Sequence, residues 1–239
     1  MLYQIWRGES IEKILPYAFW WPFDPYDHYF VMLSHQIYCG HMLMAVPLIM
    51  DQIIFLVIAE IISLFRQLGE EFRTAIDNSM ESSLRETNEK LKKCIDIHCK
   101  LIEICDSLNS IYSVPLLVQI LAASGVICLI GFIIMVLDFV YAIPSIFGFF
   151  TSLSQIFLPC WFGNMLRESS VKIADQIFMS DFHQLNNSQR KELILVIQRS
   201  HRAKTIKASK FFTLKLSGFG AIVRTAFSYF AIVRRFYKN

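Results

Sequence analysis

Asp, Glu, Lys, Arg and His are missing altogether from residues 111–137, IYSVPLLVQILAASGVICLIGFIIMVL, and again from residues 141–165. Uncharged runs of that length exclude an ordinary soluble domain, in which about a quarter of residues are charged. Charged residues make up only 18% of this chain, and the net charge of +3 gives no argument for nucleic acid. No N-terminal apolar run carries the charged flank and small-residue cleavage site of a secretory leader. The six cysteines form no secreted disulfide framework: Cys39, Cys128 and Cys160 fall in apolar stretches, and Cys94, Cys99 and Cys105 in a charged one. Cys94, His98, Cys99 and Cys105 match no common zinc spacing, and only Cys94 and His98 clearly share a helix face, so reduced structural thiols are expected. No nucleophile–base pair, HExxH or paired carboxylates at helical spacing lies within an apolar span, which excludes a recognisable intramembrane enzyme.

What is present is apolar bulk. Hydrophobic residues make up 54% of the 239, with 21 Phe against 9 Gly, and mean hydropathy is +0.43. Residues 1–27 are aromatic and broken by Pro16, Pro22 and Pro25, so they read as an interfacial loop. A chain that opens inside a loop reads as part of a longer one. A first apolar span covers 28–65. Its 38 residues make about 57 Å of helix at roughly 1.5 Å each, enough to cross a bilayer and continue past it. His35, Gln36 and His41 make its first half polar, and Pro47 allows a kink. Residues 66–110 are charged and amphipathic, with Leu84, Leu91, Ile95, Ile102 and Leu108 near helical spacing. Spans 111–137 and 141–165 follow as a tight hairpin, in which Pro144, Gly148, Pro159 and Gly163 permit bends and close approach. Residues 166–210 are charged again, with Asn187 or Ser188 placed to cap a helix.

The last apolar stretch, 211–236, is about 39 Å of helix at roughly 1.5 Å per residue. Arg224, Ser228 and Arg235 recur on one face of it, with Thr225, Tyr229, Ile232 and Phe236 alongside. Polar groups at membrane depth are costly unless they face protein or water, so this helix is expected in an assembly or in the wall of a pore. Residues 66–110 hold seven Lys and Arg and residues 166–210 hold nine, against two in residues 1–27 and none between the hairpin spans. The positive-inside rule places both charged stretches in the cytoplasm and both termini outside. Arg234, Arg235 and Lys238 oppose it, three against sixteen.

Four segments, in order, carry a family resemblance over nearly the whole chain: LPYAFWWPFDPYDHYF (15–30), FLPCWFGNMLRESS (157–170), IADQIFMSDFHQL (173–185) and RKELILVIQRSHRAKTIKASKFFTLKLSGFGAIVRTAFSYFAIVRRF (190–236). They resemble the C-terminal portion of an insect odorant receptor. The resemblance implies an all-α polytopic membrane protein, with four transmembrane helices equivalent to helices four to seven of a seven-helix receptor. It implies the odorant-binding subunit of an odorant-gated, non-selective cation channel in the plasma membrane of olfactory neurons, needing neither G protein nor cofactor. Partners would be a small volatile odorant and the olfactory co-receptor in a hetero-tetramer, with cytoplasmic helical extensions anchoring the subunits. By motif, Tyr229, Ile232, Arg235 and Phe236 would lie at the pore and gate. Arg235 departs from the glutamine common in the co-receptor. The odorant pocket would draw on Met32, Gln36 and Ile37 of the first span and Phe147, Phe150 and Thr151 of the third. Alternatives at this stage are a gustatory-type ligand-gated channel, whose last-helix signature is half matched, and a truncated, non-functional receptor. A secondary transporter lacks the internal repeats it would usually show.

Overall fold

The computed structural model describes residues 24, 27–80, 83–136, 139–209 and 212–238. Side chains at 44, 47, 80, 136, 139–141, 144, 212, 229–230 and 232–238 lie outside that description. The expected N-terminal loop, almost entirely, and the turn at Asp138 therefore fall outside the described residues.

Five α-helices are described: α1 (Tyr29–Asp77), α2 (Leu84–Val136), α3 (Phe139–Phe178), α4 (Asn187–Ser200) and α5 (Leu216–Lys238). Single 3-10 turns follow α1 and α3, at Asn78–Met80 and Phe182–Gln184. Two-residue antiparallel strands, β1 (Lys207–Ala208) and β2 (Phe212–Thr213), pair Lys207 with Thr213 and Ala208 with Phe212. Among the described residues, α1, α2 and α3 contain stretches long and apolar enough to cross a membrane.

The charged stretch 66–110 is not a separate helical region. Its first part completes α1, and its second part runs without a break into the next apolar span, so α2 is 53 residues long with Pro115 inside it. The last helix starts at Leu216 rather than near Phe211, because 207–213 form the small hairpin, and its 23 residues make about 34 Å. The cap of α4 is Asn186, one residue before the expected position. Its Oδ1 accepts the Ser188 and Gln189 N–H groups at 2.9 and 3.0 Å, and its own N–H donates to Gln189 Oε1 at 3.4 Å. That reciprocal arrangement satisfies otherwise orphaned helix-start donors.

Two compact units divide inside α1, residues 1–56 and 57–239. In the first, α1 presents Phe30, Ile37, Leu43, Val46 and Ile49 outward. In the second, the core is a set of stripes. On α1 it is Ile58, Ile61, Ile62, Phe65, Leu68, Phe72 and Ile76. On α2 it is Leu91, Cys94, His98, Leu101, Cys105 and Leu108, alternating steps of three and four. That 3.5-residue period is the seam of closely packed helices. On α3 it is Ile156, Cys160, Leu166, Ile173 and Ile177. Helix α2 packs on α3 and α5, and α3 packs on α4 and α5.

Candidate functional site

The sequence singles out α5, and the structure gives that helix two unlike sides. Ala226 is buried against Ala123 and Ile127 of α2 and Ile156 of α3, with Phe149, Leu153, Phe219 and Ile222 packed around them. Cys128 Sγ donates to the Ala226 carbonyl at 3.6 Å, which ties α5 to α2. Phe219 meets Phe157 of α3 edge to face, ring centroids 5.4 Å apart, and Phe157 stacks in turn on Trp161. A small cavity of about 60 Å³ remains where Ile127, Gly131, Phe149, Ala226 and Phe227 converge.

The opposite side of α5 is uncovered. Ala221, Arg224, Thr225 and Ser228 are exposed. Their spacing of three and four residues puts them on one face. Both hydroxyls are returned to the helix itself: Thr225 Oγ1 donates to the Ala221 carbonyl at 2.9 Å and Ser228 Oγ to the Arg224 carbonyl at 3.0 Å. Internal satisfaction of this kind lets a polar face sit at membrane depth without stranded donors. Tyr229, Ile232, Arg235 and Phe236 lie on the last turns of α5, and their side chains are outside the described residues.

Of the residues expected to form the pocket, Phe147, Phe150 and Thr151 share a face of α3 and are all exposed, with Thr151 Oγ1 donating to the Phe147 carbonyl at 2.9 Å. In the 1–56 unit, Met32 is half-buried, Gln36 buried and Ile37 exposed. Phe149, which the sequence reading passed over, sits beside Phe150 with ring centroids 6.0 Å apart and also lines the small cavity under α5. Its adjacency to Phe150 was the available signal, but sequence spacing alone does not show that α5 closes over it.

The entry to α5 is held from below. Asn109 Nδ2 donates to the Thr205 carbonyl at 2.8 Å, and Asn109 Oδ1 accepts the Lys207 N–H at 2.9 Å. Lys204 Nζ reaches both oxygens of Asp106 at 2.7 Å, and the Lys204 N–H donates to Ser170 Oγ at 3.0 Å. Gly163 of α3 backs onto Leu214, whose carbonyl would lie 2.6 Å from any Cβ placed there. Deeper in, His98 Nε2 lies 3.3 Å from Ser200 Oγ, and the Phe65 ring meets the imidazole edge-on. Burial, helped by the Arg199 and Lys204 cations, lowers His98 from the ordinary 6.5 to about 4. Burial likewise pushes the Cys94 and Cys105 thiols up to about 11. Thiols held protonated are poor metal ligands. No group of three or more His, Cys, Asp or Glu among the described residues is placed to hold a metal ion.

Known proteins share this arrangement. The sequence profile described as 7tm Odorant receptor matches residues 1–227. Odorant receptor 85c of Drosophila melanogaster is 24% identical over 235 residues, covering 95% of this chain and 58% of that protein. Odorant receptor 67c of the same fly is 26% identical over 236 residues, covering 97% and 57%. The chain thus spans somewhat under three fifths of the length of these relatives. The insect olfactory receptor OR5 from Machilis hrabei, solved in complex with eugenol, superposes with a TM-score of 0.78 at 17% identity, over 90% of this chain and 56% of that one. The same receptor solved without that ligand in its description gives 0.79. At such identity the likeness concerns the fold, which is that of a multi-pass membrane protein. Taken with the profile, it places the chain: it belongs to the insect odorant receptor family, whose members are receptors and not enzymes.

Proposed function

We propose that the chain is the odorant-binding subunit of an odorant-gated, non-selective cation channel, assembled with the olfactory co-receptor as a hetero-tetramer. The observation that carries this reading is the two-sidedness of α5. One side is packed on α2 and α3, while Ala221, Arg224, Thr225 and Ser228 are left uncovered with their hydroxyls already satisfied. Such a face suits the wall of a shared aqueous pore. Residues 66–110 and 166–210 lie in the cytoplasm on this reading, and the C-terminus lies outside the plasma membrane of the olfactory neuron. Tyr229, Ile232, Arg235 and Phe236 then stand at the outer constriction. Arg235 places a cation where cations must pass, so this subunit contributes less to conduction than the co-receptor. A small volatile ligand binds among Met32, Gln36, Ile37, Phe147, Phe150 and Thr151 by shape and dispersion, and gating is a population shift requiring no G protein.

Co-expression with the co-receptor tests the proposal. A panel of volatile ligands should evoke a cation current absent from the co-receptor alone. A hydrophilic thiol reagent should block that current in Ser228→Cys and spare Ala226→Cys and the unsubstituted chain. No evoked current with any ligand, or equal block of all three, refutes the assignment.

A further inference from the structure

At the level where α1 and α3 both turn from apolar to charged, they open a cleft of about 550 Å³ lined by Arg66, Gln67, Glu70, Glu71, Ser169, Lys172 and Gln176. The two helices are registered there. The Gln176 amide donates to Glu70 Oε1 at 2.6 Å and lies across Gly69, where a Cβ would collide with it. Gln176 thereby orients the Glu70 carboxylate and leaves its second oxygen to the cleft. Arg66 and Lys172 enter no ion pair among the described residues. Ser169 is 4% exposed and lines the same cleft, yet its hydroxyl makes no hydrogen bond among the described residues. A buried hydroxyl without a partner is unusual in a folded protein and costs stability.

The cleft therefore offers two uncommitted cations and a hydroxyl beside two carboxylates, with a net formal charge of zero. A lone phosphate would meet the Glu70 and Glu71 carboxylates, and a lone ammonium would meet Arg66 and Lys172. A zwitterion carrying both charges satisfies all of them. The height of the cleft, one turn or less beyond the last apolar residues of α1 and α3, is the headgroup layer of a bilayer crossed by those helices. We propose that this cleft binds the headgroup of an ethanolamine phospholipid. Its phosphate is held by Arg66, Lys172 and Ser169, and its ammonium donates to Glu70 and Glu71. Choline has no N–H to donate, and a glycerol headgroup leaves the carboxylates unmatched.

Native mass spectrometry of the full chain in detergent, supplied with ethanolamine, choline or glycerol phospholipids of identical acyl chains, tests this. The ethanolamine lipid should be retained about tenfold over the choline lipid, the scale of one charge-assisted hydrogen bond. Glu70→Gln keeps an oxygen for Gln176, so the helices stay registered, yet it should lessen the ethanolamine-over-choline preference. Ser169→Ala should weaken retention of ethanolamine and choline lipids alike through the phosphate. Equal retention of the ethanolamine and choline lipids by the unsubstituted chain, or preference for the glycerol lipid, overturns the proposal. Displacement of bound lipid by millimolar soluble phosphoethanolamine would assign the cleft to a free metabolite and overturn the lipid assignment too.

Discussion

The Lys207 N–H is held by the Asn109 side-chain carbonyl at 2.9 Å, across 98 positions of sequence. With the second bond from Asn109 to the Thr205 carbonyl, one side chain fixes two backbone groups of the segment that leads into α5. Helix α2 and the base of the proposed pore helix are thus joined by backbone geometry as well as by apolar packing.

That clamp gives the first prediction. Asn109→Ala removes a donor and an acceptor at once and leaves two backbone groups in search of partners, a loss of about 2 kcal/mol. The thermal midpoint of the purified chain should fall by several degrees. Asn109→Asp keeps the acceptor for Lys207 but sets a carboxylate against the Thr205 carbonyl, so it should recover only part of that loss. A midpoint unchanged in both variants would show that the clamp contributes nothing.

Two glycines should behave in opposite ways. A methyl at Gly163 meets the backbone carbonyl of Leu214, which cannot turn aside as a side chain would. Gly163→Ala should cost about 1–3 kcal/mol and reduce delivery to the cell surface. Around Gly125 nothing lies within 4 Å. Gly125→Ala in the middle of α2 should be neutral or stabilise by up to about 1 kcal/mol. Surface labelling of the two variants side by side checks the pair.

The buried His98 makes stability depend on pH. Its folded value of about 4 lies below the ordinary 6.5, so between those values the unfolded chain binds the extra proton and the folded chain does not. Stability is therefore full above about 6.5 and declines as the pH falls towards 4, by an amount on the order of 3 kcal/mol. Thermal midpoints measured from pH 7.5 to 4.5 should show the decline, and His98→Gln, which does not titrate, should flatten its steepest part. An identical pH profile in the variant would remove His98 as the cause.

The apolar spans were legible because long uncharged runs permit few alternatives, and the family could be read from four motifs in order. What the sequence concealed was composition working against pattern. The expected stripe on α2 ran through Leu84, which is 73% exposed, and missed the buried positions held by Cys94, His98 and Cys105. A histidine and two cysteines fill core sites there because Ser200 and burial suit them, which no hydropathy rule anticipates. The hairpin at 207–213 was hidden for another reason. Its two short strands are held by Asn109, almost a hundred residues away, and look like the start of the next apolar helix. In the proposed pocket, Phe147 and Phe150 were found by their size, but the role of Phe149 depends on α5 lying over it, which is a tertiary fact.

The gate residues supply the last prediction. Ile232 and Phe236 are four positions apart on α5, and Arg235 adjoins Phe236, so the three reach the same final turn of the proposed pore helix. If that turn forms the constriction, Ile232→Ala and Phe236→Ala should widen it, raising ligand-independent current or weakening discrimination among cations. Arg235→Gln should act differently. It removes a positive charge facing permeant cations without reducing side-chain length much, so conductance should rise while the resting state stays closed. Single-channel recordings of the channel formed with the co-receptor separate the two effects, since one alters open probability and the other unitary current. Unchanged currents in all three variants would place the constriction on the partner subunits' helices and leave this chain's α5 as a supporting wall.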